Sequence, residues 1–270
     1  MTREGGQHGE PLPRGLWLAS APLALFIGVP LLALLFVVSP ADLAHHLTSR
    51  MVLGALWLTL KTTLIATFLV VLVGTPLAFV LARGSFRGRE LLDTIVDLPI
   101  TIPPVVAGVA LLLAFGRRGL IGRQLEAFGI AIPFTSVAVV MAQVFIASPF
   151  FVKAARAGME AVDARLEAAA RTLGAGRWRV FWTITVPLAR PALLSGVVLA
   201  WARALSEFGA TIMFAGNLPG RTQTLTLAVM SALEGDLETA VAVSVLSLGL
   251  AVIALLGAKW LAGQWRMPVA

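Results

Sequence analysis

Six stretches of this chain are too long and too apolar to be exposed to water. Leu16 to Val38 is a run of 23 residues without a charge. Met51–Ala82, Leu91–Phe115, Pro133–Phe151, Ala189–Phe214 and Leu237–Leu261 follow it. About 20 apolar residues in a helix span the ~30 Å hydrocarbon core of a bilayer. Barrel strands are only about 10 residues long and alternate in polarity, so these runs are helices. Composition agrees: 58% of the residues are hydrophobic and 13% charged, outside the range of soluble domains. The mean hydropathy is +0.90. The sequence therefore predicts an all-α integral membrane protein with six transmembrane helices.

The runs divide the chain into a disordered tail over 1–15, a first helix with its outer loop over 16–50, a membrane core over 51–262 and a short tail over 263–270. A signal peptide is the rival reading of the first run. It would be shorter and end in small residues, whereas Ser39-Pro40-Ala41-Asp42 follows. A retained span is the better reading. Ala41–Arg50 reads as a polar loop with His45 and His46 exposed. Gly74-Thr75-Pro76 interrupts the second run. Pro99, Pro103 and Pro104 predict a break or kink near the start of the third. Gly116–Ile132 reads as a loop with room for an interfacial helix, and Ala215–Asp236 as a polar connection.

Loop charges orient the spans. The net charge of +7 comes from 21 Lys and Arg against 14 acids. With the N-terminus in the cytoplasm, 14 of the basic residues fall on that side and 5 on the other. The positive-inside rule then puts both termini inside. Charge spread among membrane loops argues against a nucleic-acid partner. Arg117, Arg118 and Arg123 oppose the rule and are available to an anion or a partner on the outer face.

Asp163 to Pro187 is the longest stretch the membrane cannot hold. Leu166, Ala169, Ala170 and Leu173 recur at helical spacing, Glu167 and Arg171 are four apart, and Gly174 is a helix stop. Arg177 to Ile184 adds arginines and tryptophans, and Pro187 closes the segment. The small-residue face reads as a docking element on the membrane surface. An amphipathic loop lying on lipid is the alternative.

A charge at the bilayer centre costs about 2.5–3.5 kcal/mol, so each one requires a reason. Arg203 and Glu207 are four apart in the fifth run and can pair. Either they neutralise one another inside the bundle, or they line a translocation path with Ser206 and Thr211 beside them. Lys61, among Thr59, Thr62 and Thr63, lines the same path or snorkels outward. Asp93 and Asp97 read as partners of a helix dipole. With no cysteine and no histidine in a span, a membrane enzyme lacks its nucleophile and base. No catalytic residue, metal or cofactor is assigned. None of the three lysines follows a glycine, so a phosphate-cradling loop is missing and any ATP must be hydrolysed by another subunit. An ungated anion channel is the remaining alternative.

The segment resembles the cytoplasmic loop of ABC-importer permeases, whose pattern is Glu-Ala-Ala, three residues, Gly, nine residues, Ile, one residue, Leu-Pro. Ala169, Ala170, Gly174, Ile184 and Pro187 fall on it. Ala168 stands where the family has Glu, with Glu167 one residue earlier, and Val186 replaces Leu. Over Gly54–Ala258 the chain is similar to the permeases of the sulfate, molybdate and tungstate importers. Residues 98–122 and 206–229 carry that likeness. Glu207-Phe208-Gly209-Ala210-Thr211 and the run Gly216–Thr224 are similar to molybdate permeases in particular. The resemblance implies a type I ABC-importer transmembrane domain working by alternating access as a homodimer in the bacterial inner membrane. It implies two cytoplasmic ATP-binding subunits gripping Arg165, Glu167, Ala169, Ala170, Arg171 and Gly174. It also implies a periplasmic oxyanion-binding protein. Lys61, Arg203, Ser206, Glu207, Thr211 and Asn217 are the residues expected along the anion's path.

Overall fold

The computed structural model describes residues 14–36 and 39–263. The expectations for the two tails lie almost wholly outside them. Among the described residues every regular element is a helix. Five helices are long and apolar enough to cross a membrane: α1 (Arg14–Phe36), α3 (Arg50–Arg83), α7 (Ser136–Glu160), the continuous helix Arg177–Leu205, and α13 (Leu237–Gly263). The third run carries the break that its prolines predict. It divides into α4 (Arg89–Thr101) and α5 (Pro104–Phe115), bent by 119° where Ile102-Pro103 interrupts the helix. Counting that pair as one span gives six.

The break lets α4 leave the direction of a span. Asp93 and Asp97 do not serve its dipole, as the sequence had implied. They face α7, where Asp97 pairs with Lys153 at 2.6 Å and Asp93 pairs with Arg156. Arg89 and Glu160 extend the row at 3.5 Å. Spacings of four on α4 match an antiparallel run of basic and acidic groups at the end of α7. Beyond the bend, α5 packs on the short helix α11 (Gly209–Ala215), and the loop that follows α5 contains a short helix, α6 (Gly122–Ala127).

Other expectations are corrected by local packing. Pro76 interrupts the apolar run but not the helix, for α3 is a single element of 34 residues, about 51 Å at 1.5 Å per residue. That exceeds the hydrocarbon thickness, so α3 must tilt or protrude. Residues 40–47 are a helix, α2 (Pro40–Leu47). His45 is exposed but His46 is not: its Nδ1 lies 2.8 Å from Thr239 Oγ1, beside Asp236 at the start of α13. Asp236 caps α13, accepting from the backbone N–H groups of Glu238 and Thr239. The Thr239 hydroxyl, then its N–H, hold the Asp236 carboxyl below its usual range. The connection 215–236 is a packed element too. It contains α12 (Leu225–Leu233), with Thr222, Gln223, Thr224, Leu225, Leu227 and Ala228 buried.

Lipid is as apolar as leucine, so helices in a bilayer gain little from hiding apolar surface from each other. They must meet closely or share hydrogen bonds. Gly158 of α7 shows the first device. A Cβ there would lie 2.2 Å from that of Ala192, which belongs to α10 (Val186–Leu205). Buried threonines of α3 show the second. Trp201 Nε1 donates to Thr63 Oγ1 at 3.1 Å, and the N–H of Leu225 donates to Thr59 Oγ1 at 2.8 Å. These contacts fasten α3 to α10 and α12. Phe151, Met159 and Leu81 fill the core near one end of the bundle, and Ile146, Phe214 and Leu111 the core near the other. Nothing in the Ala19–Phe36 window of α1 is buried.

Candidate functional site

At the end of the bundle where α3 and α7 both finish, the chain forms α8 (Ala164–Thr172). Asp163 starts it, its Oδ1 accepting from the N–H of Arg165 at 2.8 Å. Leu173 and Gly174 end it. Gly174 has φ +85°, the left-handed conformation that glycine adopts without steric cost, and a side chain there would meet nothing within 4 Å. The need for glycine is therefore in the turn itself. Arg165, Leu166, Ala169, Arg171 and Leu173 are exposed and Ala170 is half-buried; Leu173 is 89% exposed. An apolar knob is thus presented outward.

Only one residue of α8 is buried, and it is charged. Glu167 is 7% exposed. Its Oε1 accepts from Arg83 Nε at 3.2 Å, Arg83 Nη2 at 3.1 Å and Thr185 Oγ1 at 2.8 Å. Arg83 Nη2 also donates to the carbonyl of Val162 at 2.7 Å. The carboxylate does not pair with Arg171, as the four-residue spacing had implied. Arg171 Nε donates instead to the Glu167 carbonyl at 3.2 Å. One guanidinium at the last residue of α3 therefore holds the end of α7 and the middle of α8 together.

Thr185 reaches this joint because of an irregularity. Pro187 does not close the segment; the helix passes through it. α9 (Arg177–Val180) runs into a π turn, Phe181–Thr185, and then into α10. The N–H of Val186 donates to the carbonyl of Phe181, five residues back. Such insertions recur at functional sites. Phe181 also stacks edge-on to Phe79 of α3, with ring centroids 4.8 Å apart.

A second charged site lies where α10 ends. Arg203 Nη2 and Glu207 Oε2 are 3.0 Å apart, but not along one helix: α10 stops at Leu205, and Glu207 lies in the break before α11. Glu207 is 1% exposed. Its Oε1 accepts from the N–H of Ala210 at 2.7 Å, capping α11, and its carbonyl accepts from Thr226 Oγ1 at 2.8 Å. Ser206 is exposed, within 3.4 Å of Arg203 Nη1. The structure thus brings Arg203, Ser206 and Glu207 together. Thr211 is fully buried with its hydroxyl unpartnered. Asn217 Nδ2 donates to Ser231 Oγ at 2.8 Å, which ties it to α12. Lys61 is exposed on α3, away from its buried threonine neighbours.

The sequence marks Arg83 only as one of the cytoplasmic loop charges and does not mark Thr185 at all. The position of Arg83 as the last residue of a span was the available signal. Gln143, 1% exposed in α7 with Oε1 unpartnered, had none.

The arrangement of these helices defines a class by its fold, the transmembrane domain of type I ABC importers. The transporter for the acidic polysaccharide alginate shares this fold, at a TM-score of 0.77 and 16% identity over 94% of this chain and 96% of that one. The MetNI methionine transporter in an inward-facing form shares it at 0.61 and 18%, over 79% and 95%. The chain belongs to the binding-protein-dependent transport system inner membrane components, whose family model matches residues 74–265. It is 45% identical over 211 residues to the molybdenum transport system permease protein ModB of Escherichia coli K12, covering 77% of this chain and 92% of the relative. Against ModB of Mycobacterium tuberculosis the identity is 43% over 246 residues, 91% and 93% of the two chains. A chloroplastic sulfate permease of Chlamydomonas reinhardtii is 38% identical, over 97% of this chain and 72% of the relative. These relatives are transport components and not enzymes.

Proposed function

We propose that this chain is the permease subunit of an ATP-driven importer, that its cargo is molybdate, and that two copies form the pathway. In this reading both termini and α8 lie in the cytoplasm, a periplasmic binding protein delivers the anion opposite, and two ATP-hydrolysing subunits hold α8. The single observation that carries it is the Arg83–Glu167–Thr185 joint. A subunit gripping Leu166, Ala169 and Leu173 would pull on Glu167, and through it on the end of α3 and the start of α10. Arg165, Ala170, Arg171 and Gly174 shape the same knob. Force made outside the membrane thereby reaches two spans at once.

The anion's route is proposed beside the α10–α11 break. Arg203 is paired with Glu207 here, so opening the break would free a guanidinium next to the Ser206 hydroxyl. Thr211 lies on α11 just after the break, and Asn217 lies beyond the far end of that helix. Lys61 belongs to the route only if a second copy faces α3. Molybdate is favoured over sulfate and tungstate by the names and identities of the relatives.

Leu173→Asp puts a charge on the knob without touching the joint. Uptake of radiolabelled molybdate should fall about tenfold or more, the effect of losing ~1.4 kcal/mol of contact, while membrane insertion is unchanged. Normal uptake would remove the docking role. Excess unlabelled sulfate should leave molybdate uptake intact. Equal competition by sulfate would reassign the cargo and leave the transport role standing.

A further inference from the structure

Three cavities adjoin on the outer face of the bundle beside α8, and their chemistry changes in order. The first, about 450 Å³, lies between the end of α3 and α8–α9 and is lined by Arg83, Ser85, Glu167, Arg171 and Arg177, with Phe79 and Val80 at its edge. The second, about 240 Å³, shares Phe79, Val80 and Arg177 with it and is otherwise apolar. The third, about 510 Å³, shares Pro76, Trp178 and Phe181 with the second and runs on between Leu72 and Leu193. Apart from Arg190 its walls carry no charge.

The charges of the first cavity do not balance. Glu167 is the sole acid in its wall, and Arg83 already neutralises it at 3.1 Å. Arg171 and Arg177 make no ion pair among the described residues. Two exposed guanidiniums beside a serine are suited to bind a phosphoryl group, for which arginine offers a fork of donors. The apolar compartments continuing from them are flanked by Trp178 and Trp182, 71% and 59% exposed. Tryptophan is enriched at the headgroup level of a bilayer.

We propose that the joined cavities bind one anionic phospholipid, its phosphoryl group between Arg171 and Arg177 and an acyl chain along α3 and α10. A second copy of the chain would cover the apolar groove but leave the two arginines uncompensated. A free oxyanion would answer the arginines but leave the groove unfilled. A lipid answers both. Its headgroup would then touch α8 and α9 together, so that membrane composition bears on the knob. This goes beyond the transport reading and does not depend on it.

The test is native mass spectrometry of the full-length protein in neutral detergent, titrated with phosphatidylglycerol or phosphatidylcholine. Phosphatidylglycerol should be retained about tenfold better, and the double variant R171Q/R177Q should lose that preference. Arg179→Gln, an exposed arginine outside the cavities, should keep it. Leu72→Trp, at a position 58% exposed in the groove wall, should weaken both lipids without a core cost. Equal retention of the two lipids, or an unaltered preference in the double variant, would overturn the proposal. Displacement of phosphatidylglycerol by millimolar inorganic phosphate would show a free-anion site instead. Loss of all lipid from dimeric particles would show that a second copy fills the groove.

Discussion

Two glutamates are buried among the described residues, and each is paired with an arginine, yet the two pairs are built differently. Glu207 takes its partner from four residues away. Glu167 takes its partner from 84 residues away, and adds a threonine from a third element. The first pair stitches a break in one stretch of chain and caps the helix that follows. The second holds three helices by one carboxylate oxygen. A local pair sets the shape of its own segment, whereas a remote pair fixes the position of one segment against another. In the proposed function the remote pair relays a pull and the local one acts as a latch.

The contrast is sharpest if each pair is broken. Glu207→Ala should have the largest effect on the fold. It strands the Arg203 guanidinium and the N–H of Ala210, and removing one member of a buried pair costs about 3–5 kcal/mol. Thermal unfolding in detergent measures it; a loss below about 1 kcal/mol would mean that water reaches the break freely. Next is the double cycle of Glu167→Ala and Arg83→Ala. Being in direct contact, they should couple by about 2 kcal/mol, and either single variant should reduce uptake while the ATP-hydrolysing subunits continue to turn over. Additive effects on stability would dissolve the joint. The smallest change is expected from Asp97→Asn on the α4–α7 row. That pair is partly exposed, so the cost should not exceed about 1 kcal/mol and should shrink further in high salt.

The sequence carried the spans and the outward knob for a simple reason. Transfer free energy accumulates along a run, and hydropathy measures that sum. Direction is not in the sum. Leu91–Phe115 has the apolar content of a span, but Ile102-Pro103 turns it through 119°. Residues 215–236 are polar enough to read as a loop, yet Thr222–Thr224 are buried because the connection answers their side chains itself: Thr222 Oγ1 accepts from the N–H of Leu218 and donates to the Gly216 carbonyl, Gln223 Nε2 donates to Ser231 Oγ, and the Thr224 and Thr226 hydroxyls share a hydrogen bond. Glu167 and Asp93 were legible as charges on helices. Their partners, Arg83 and Arg156, come from elements that only the folded chain brings near. Four-residue spacing suggests Arg171 as a support for Glu167, and position suggests a helix dipole for Asp93, and in both cases a distant guanidinium takes the carboxylate instead.

The π turn at Phe181–Thr185 works as a phase shifter between two rods. It holds one residue more than a regular turn would, so everything before it is rotated relative to α10 by about 100°, the angular step of a helix. Restoring the ordinary repeat would swing Trp178 and Trp182 around the axis and carry Thr185 off the Glu167 carboxylate. A one-residue deletion there would leave hydropathy and length almost untouched while setting the two sides of the membrane boundary out of step.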